Sequence, residues 1–156
     1  MREPGGATTV SPMLRPTADT GLPTGASHAD PAMRVVAGRE ATGGDYTLLE
    51  IRSEPGAATA AHRHEREDQS ILVLDGDLTV FVDGAATALS AGGQAFLPRG
   101  VPHRTEAGPG GARFLCICVP GGYEHLVDAL QDPLLDPDDL SALLAAAGIH
   151  AVTARW

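Results

Sequence analysis

The chain has 156 residues, 43% hydrophobic and 20% charged, which supports one buried core and excludes wholesale disorder. Acidic residues outnumber basic ones 20 to 11 for a formal net charge of −9, a balance that repels phosphate backbones and excludes nucleic acid as an expected partner. Aromatic residues make up only 4%, against 19 glycines and 12 prolines, which argues against a helix bundle and for short strands joined by tight turns.

In chain order, residues 1–31 hold five of the twelve prolines and show no sustained helix or strand period. They are expected to form a flexible leader. No basic stretch followed by an apolar one stands there, so no signal peptide is expected. From Met33 onward the pattern changes to strands, predicted at Met33 to Val36, Tyr46 to Arg52, Gln69 to Leu74, Leu78 to Val82, Ala95 to Leu97 and Phe114 to Val119. Asp75-Gly76 and Asp83-Gly84 read as tight turns between them. Many short strands at near-regular spacing predict a sandwich or barrel.

Two helices follow. Tyr123 to Gln131 places Leu126, Val127 and Leu130 on one side. Asp136 then supplies an N-cap ahead of Pro137, Asp138 and Asp139, Leu140, Leu143 and Leu144 form an apolar stripe, and Gly148 stops the helix. The longest apolar run, Phe114 to Val119, is far too short to cross a bilayer, so no membrane partner is expected. Cys116 and Cys118 lie on one face of a predicted strand, without the close Cβ approach a disulfide requires. Reduced thiols fit a cytoplasmic chain.

The chemistry concentrates in two segments. His62 and His64 have strand spacing, so both imidazoles leave one face and can meet one ion. Farther on, Pro98-Arg99-Gly100-Val101-Pro102 builds turns that deliver a third imidazole, His103, from a separate strand. Imidazole nitrogen suits Zn, Cu, Fe and Ni, and three histidines leave positions open for water or substrate. A lone His-x-His is more often a surface accident, and His103 alone would be a turn residue. Their joint placement among fixed glycines and a proline is what points to a metal.

Those spacings resemble the two signature motifs of the cupin superfamily, G-x5-H-x-H-x3,4-E-x6-G and G-x5-P-x-G-x2-H-x3-N. Gly56, His62, His64 and Gly76 match the first, and Gly92, Pro98, Gly100 and His103 the second. The stretch His62 to Gly76, with the tail from Pro120 through the Pro-Asp-Asp-Leu helix, is similar to the small quercetin-2,3-dioxygenase-like branch. The resemblance implies an all-β double-stranded β-helix, a jelly-roll cupin barrel over residues 32–120, with a C-terminal helical extension over 121–156. It implies one divalent transition metal (Fe, Ni, Mn, Cu or Zn), a small-molecule substrate and a homodimer.

Two positions depart from the motifs. Gln69 stands where the family has glutamate, and Ala107 where it has asparagine. A glutamine contributes a carbonyl dipole in place of a negative charge, so an ion held there keeps more of its own charge and favours anionic ligands such as phenolate or enolate. Gln69 either ligates through its amide or stands behind the ligands. It cannot act as a general base; Glu67, of the same strand parity, is the candidate replacement, against the plainer reading of a solvated loop charge. Glu50 and Arg52 share a strand face and are expected to pair on the surface, His125 to be exposed, and Phe81, Phe96 and Phe114 to lie in the core. Three functions fit: a metal-dependent oxygenase acting on a phenolic or enolic substrate, a non-redox metallo-cyclase, isomerase or lyase of secondary metabolism, and a non-catalytic small-molecule binder.

Overall fold

The structure, a computed structural model, describes residues 32–132 and 134–153. The leader expected over residues 1–31 lies outside them. Eight strands occur among the described residues: β1 (Ala32–Ala37), β2 (Thr47–Ser53), β3 (His62–His64), β4 (Asp68–Val82), β5 (Ala85–Leu89), β6 (Gln94–Leu97), β7 (His103–Val119) and β8 (Ile149–Ala151). One helical turn, α1 (Arg39–Thr42), follows β1; α2 (Glu124–Leu130) and α3 (Pro137–Ala146) stand between β7 and β8.

Every pairing is antiparallel, and the long strands β4 and β7 run against each other over almost their whole lengths. Near one end the pair is flanked by β2 and β6, with β1 beyond β2. Near the other it is flanked by β3 and β5, with β8 beyond β3. The ribbon thus bends from one sheet into a second, the arrangement of a jelly-roll barrel. Leu49, Ile71, Val73, Leu78, Val80, Leu97 and Phe114 fill the space between, all under 5% exposed. Alternation explains why: on β2, Thr47, Leu49 and Ile51 turn inward, while Leu48 and Arg52 do not.

The bend corrects one expectation. Asp75-Gly76 makes no hairpin; it sits inside β4, where the register with β7 shifts between Val73 and Asp75 and again between Gly76 and Leu78. Gly76 has φ 73°, and a Cβ there would lie 2.2 Å from the Gly111 carbonyl oxygen. A bulge that brings two backbones this close requires glycine, and the same dipeptide signal serves turn and bulge alike. Asp83-Gly84 is the hairpin expected, with φ 48° and 82° at its two central residues and β4 paired to β5 across it.

β7 also begins far earlier than Phe114, because its glycine-rich first half pairs with β4 through that bend. Phe114 is 3% exposed, but Phe96 is 58% exposed, contrary to the expected core position. It alternates with Leu97, which takes the inward place on the short strand β6. Phe81 is half-buried beneath the Arg104 guanidinium, 3.6 Å from its ring centroid. Glu50 lies on the outer sheet face as expected, yet it is only 6% exposed. Arg34 and Arg113 hydrogen-bond its carboxylate, with Arg52 3.5 Å away. Arg34 first, and then Arg113, hold it below the usual carboxylate range against the effect of burial.

The C-terminal helices form where expected. Asp136 accepts from the Asp138 amide at 2.8 Å, Pro137 takes the first helical position and Gly148, at φ 82°, ends the segment. Beyond it β8 pairs with β3, returning the chain to the strand that carries two of the three histidines. His125 is exposed on α2. No helix among the described residues is long and apolar enough to cross a membrane.

Candidate metal centre

β3 and β7 bring the three imidazoles together. His62 stands directly opposite His103 in the register, and His64 follows two residues along on the same strand face. The ring centroids of His62 and His103 are 4.5 Å apart, those of His62 and His64 5.1 Å, and those of His64 and His103 5.3 Å. One nitrogen from each lies within 4.8 Å of the other two.

Each ring is oriented from behind. His62 Nδ1 lies 2.7 Å from the Ala60 carbonyl and His103 Nδ1 3.0 Å from the Val101 carbonyl, in both cases two residues earlier. A carbonyl only accepts, so both Nδ1 atoms carry the proton and both Nε2 atoms present a lone pair. His64 Nδ1 lies 3.2 Å from Glu67 Oε2. His64 Nε2 and His103 Nε2 are fully buried and have no hydrogen-bond partner. Two orphaned basic nitrogens converging with a third are costly unless something is bound between them, and they fit a borderline cation.

The electrostatics agree. Burial depresses His62 to about 4, only partly countered by its bond to Ala60. Burial, then the neighbouring His62, depresses His103 to about 4 as well. Both are neutral at pH 7, the state in which imidazole binds metal.

Gln69 is 7% exposed and donates from Nε2 to Cys118 Sγ at 3.5 Å. It shares a cavity of about 460 Å³ with His62, His103, Cys116 and Tyr123. Glu67 is absent from that lining; its side chain, 13% exposed, stands on the Nδ1 side of His64. Cys116 and Cys118 are free and buried, their sulfurs 3.9 Å apart.

Tyr123 was not singled out by the sequence. Its ring centroid lies 5.6 Å from that of His64, and burial pushes its hydroxyl well above the usual phenol range. The Ala60 and Val101 carbonyls were equally invisible, since backbone groups carry no residue signature.

Residues 49–118 match the cupin domain family model. Those residues carry a cupin domain. This cupin is 29% identical over 99 residues to quercetin 2,3-dioxygenase of Bacillus subtilis (strain 168), covering 64% of the chain and 29% of that protein. It therefore spans less than a third of that relative's length.

Among solved structures, it is similar to a conserved protein with a double-stranded β-helix domain from Klebsiella pneumoniae, with TM-score 0.54 and 25% identity over 62% of this chain and 78% of that one. Oxalate decarboxylase from Bacillus subtilis gives TM-score 0.53 and 25% identity over 61% and 26%. KdgF from Halomonas sp. shares the fold at TM-score 0.55 and 24% identity over 60% and 82%. The cupin's curled sheet is the double-stranded β-helix that its motifs implied.

Proposed function

We propose that this cupin is a metal-dependent enzyme, an oxygenase acting on a small, largely apolar substrate with a phenolic or enolic oxygen. The observation that carries the reading is the pair of partnerless buried Nε2 atoms of His64 and His103, converging with His62 beside an apolar cavity. In this reading His62, His64 and His103 hold one divalent transition ion, Fe, Ni, Mn, Cu or Zn, of which Fe, Ni, Cu and Zn suit imidazole best. Bound there, such an ion supplies Lewis acidity to a phenolic or enolic oxygen and, if redox-active, a path for electrons to O2.

The chain's own residues do the rest. The Ala60 and Val101 carbonyls keep the Nδ1 protons of His62 and His103 in place, so their lone pairs point inward. Gln69 gives its N–H to Cys118, which leaves its carbonyl oxygen as the atom to present, as a ligand or to a bound substrate. Glu67 steadies His64 in place of acting as a base within the cavity. No Asp or Glu among the described residues lines the cavity, so the proton lost by a binding phenol or enol passes to solvent or to His150, which does line it.

That same lack of a carboxylate favours a second reading, a non-redox cyclase, isomerase or lyase that uses the ion as a Lewis acid alone. A non-catalytic small-molecule binder is the third. The experiment is metal analysis followed by turnover of phenolic substrates with and without O2. One ion per chain, lost in His103→Ala, with O2 consumed in step with product, supports the oxygenase. Undiminished turnover under strict anaerobiosis overturns it in favour of the second, and binding without product favours the third.

Two supporting readings complete the proposal. Val36, Leu72, Phe96, Ile117 and Val119, each 38–58% exposed, share the outer face of one sheet, which supports a homodimer. The free thiols support a reducing, cytoplasmic setting.

A further inference from the structure

Pro137, Leu140, Ser141, Leu144 and Ala145 of α3 all line the cavity. Their spacing of three and four residues is one continuous helical face. An apolar helical stripe ordinarily buries itself in protein, yet no residue of α3 is buried. The stripe faces open cavity, with Leu140 and Leu144 only half-covered. The same cavity is lined by His62, His103 and Gln69, and no Arg, Lys, Asp or Glu among the described residues contributes to the lining. α3 also lies outside residues 49–118, the part that matches the cupin domain.

We propose that α3 is the specificity-determining wall of this site: Leu140 and Leu144 read the uncharged apolar body of a ligand whose polar end is turned toward the histidines. The inference rests on the reading of this cavity as the binding site. A ligand large enough to reach α3 removes apolar surface from water on both partners, whereas a shorter one leaves the stripe wet. Selection is therefore by length and apolarity. Leu143, 38% exposed and outside the lining, takes no part.

The test uses the full chain loaded with Zn²⁺ and two probes, phenol and the two-ring 1-naphthol, with dissociation constants measured by calorimetry and folding checked by circular dichroism. The unaltered chain is expected to prefer 1-naphthol. The double variant Leu140→Ala, Leu144→Ala should weaken 1-naphthol by about tenfold, leave phenol within about twofold, and retain the metal, while Leu143→Ala changes neither. Leu144→Trp, which fills the space instead of emptying it, should exclude 1-naphthol and spare phenol. Equal weakening of both probes, an unchanged 1-naphthol affinity in folded variants, or no preference for 1-naphthol in the unaltered chain overturns the proposal. Failure of the metal reading has a different signature: no ion is retained, yet the preference for 1-naphthol and its dependence on Leu140 and Leu144 persist.

Discussion

His62 and His103 face each other across the β3–β7 register with ring centroids 4.5 Å apart, and each ring leans on the carbonyl two residues before it. The strand geometry that pairs the two backbones is thus also what aims both lone pairs at one point. Since β3 is three residues long and is flanked by β7 on one side and β8 on the other, the site depends on the C-terminal strand as well as on the motifs.

The orientation of His64 gives the first prediction. Its Nδ1 is held by Glu67 Oε2 at 3.2 Å, and a carboxylate behind a ligating imidazole both fixes the ring and raises its basicity. Glu67→Gln keeps an acceptor but removes the charge. It should weaken divalent-ion binding by about tenfold and Glu67→Ala by up to about a hundredfold, with little change in fold. Calorimetric titration of the ion-free protein with Zn²⁺ reads this directly; unchanged affinity in both variants would place the Glu67 contact outside the metal's influence.

The depressed histidines give a pH dependence with a defined sign. His62 and His103 have folded values of about 4 against an ordinary 6.5, so between these limits the unfolded chain binds more protons than the folded one. Stability of the ion-free protein is then fully present above about pH 6.5 and is lost as pH falls toward 4. Urea unfolding midpoints at pH 7, 6 and 5 should decline steadily. A midpoint that stays level across this range means the rings are hydrated and not enclosed.

Gln69 tests the charge of the site. Replacing it by glutamate restores the family's acid and adds a negative charge beside the proposed ion, at the loss of the N–H donated to Cys118. Gln69→Glu should tighten divalent-ion binding by about tenfold or more and weaken binding of anionic phenolates. Parallel titrations with Zn²⁺ and with a phenolate check both halves; no change in either places Gln69 out of reach of the ion.

The bend in β4 gives a prediction about the fold alone. Gly76 combines φ 73° with a backbone carbonyl only 2.2 Å from where a Cβ would sit. Gly76→Ala should therefore destabilise the protein by about 3 kcal/mol or more, since neither the strand crossing nor the partner carbonyl can move away cheaply. Gly84→Ala meets nothing within 4 Å and should lose only the backbone strain of its positive φ, about 1 kcal/mol. Chemical denaturation of the two variants separates crowding from conformation.

Much of this was readable from residue order, because strand parity and turn chemistry are local. Spacing alone put His62 and His64 on one face, ended α3 near Gly148 and started it at Asp136. The fixed glycines and proline around His103 carried the resemblance to a family. What the local rules missed is where they are degenerate. Asp75-Gly76 has the chemistry of a turn and of a bulge, and only the facing strand β7 decides between them. Phe96 has the composition of a core residue, yet the parity of a short strand beside Leu97 turns it outward.

The site divides the same way. Which residues offer lone pairs to a cation is a matter of side-chain chemistry, and the three imidazoles picked out by spacing are the ones the fold brings together. Which nitrogen each offers, that Glu67 stands behind His64 and not within the cavity, and that Tyr123 and the α3 stripe close around the same space were decided by tertiary structure. Backbone carbonyls and strands distant in the chain set those relationships, and no local pattern of side chains encodes them.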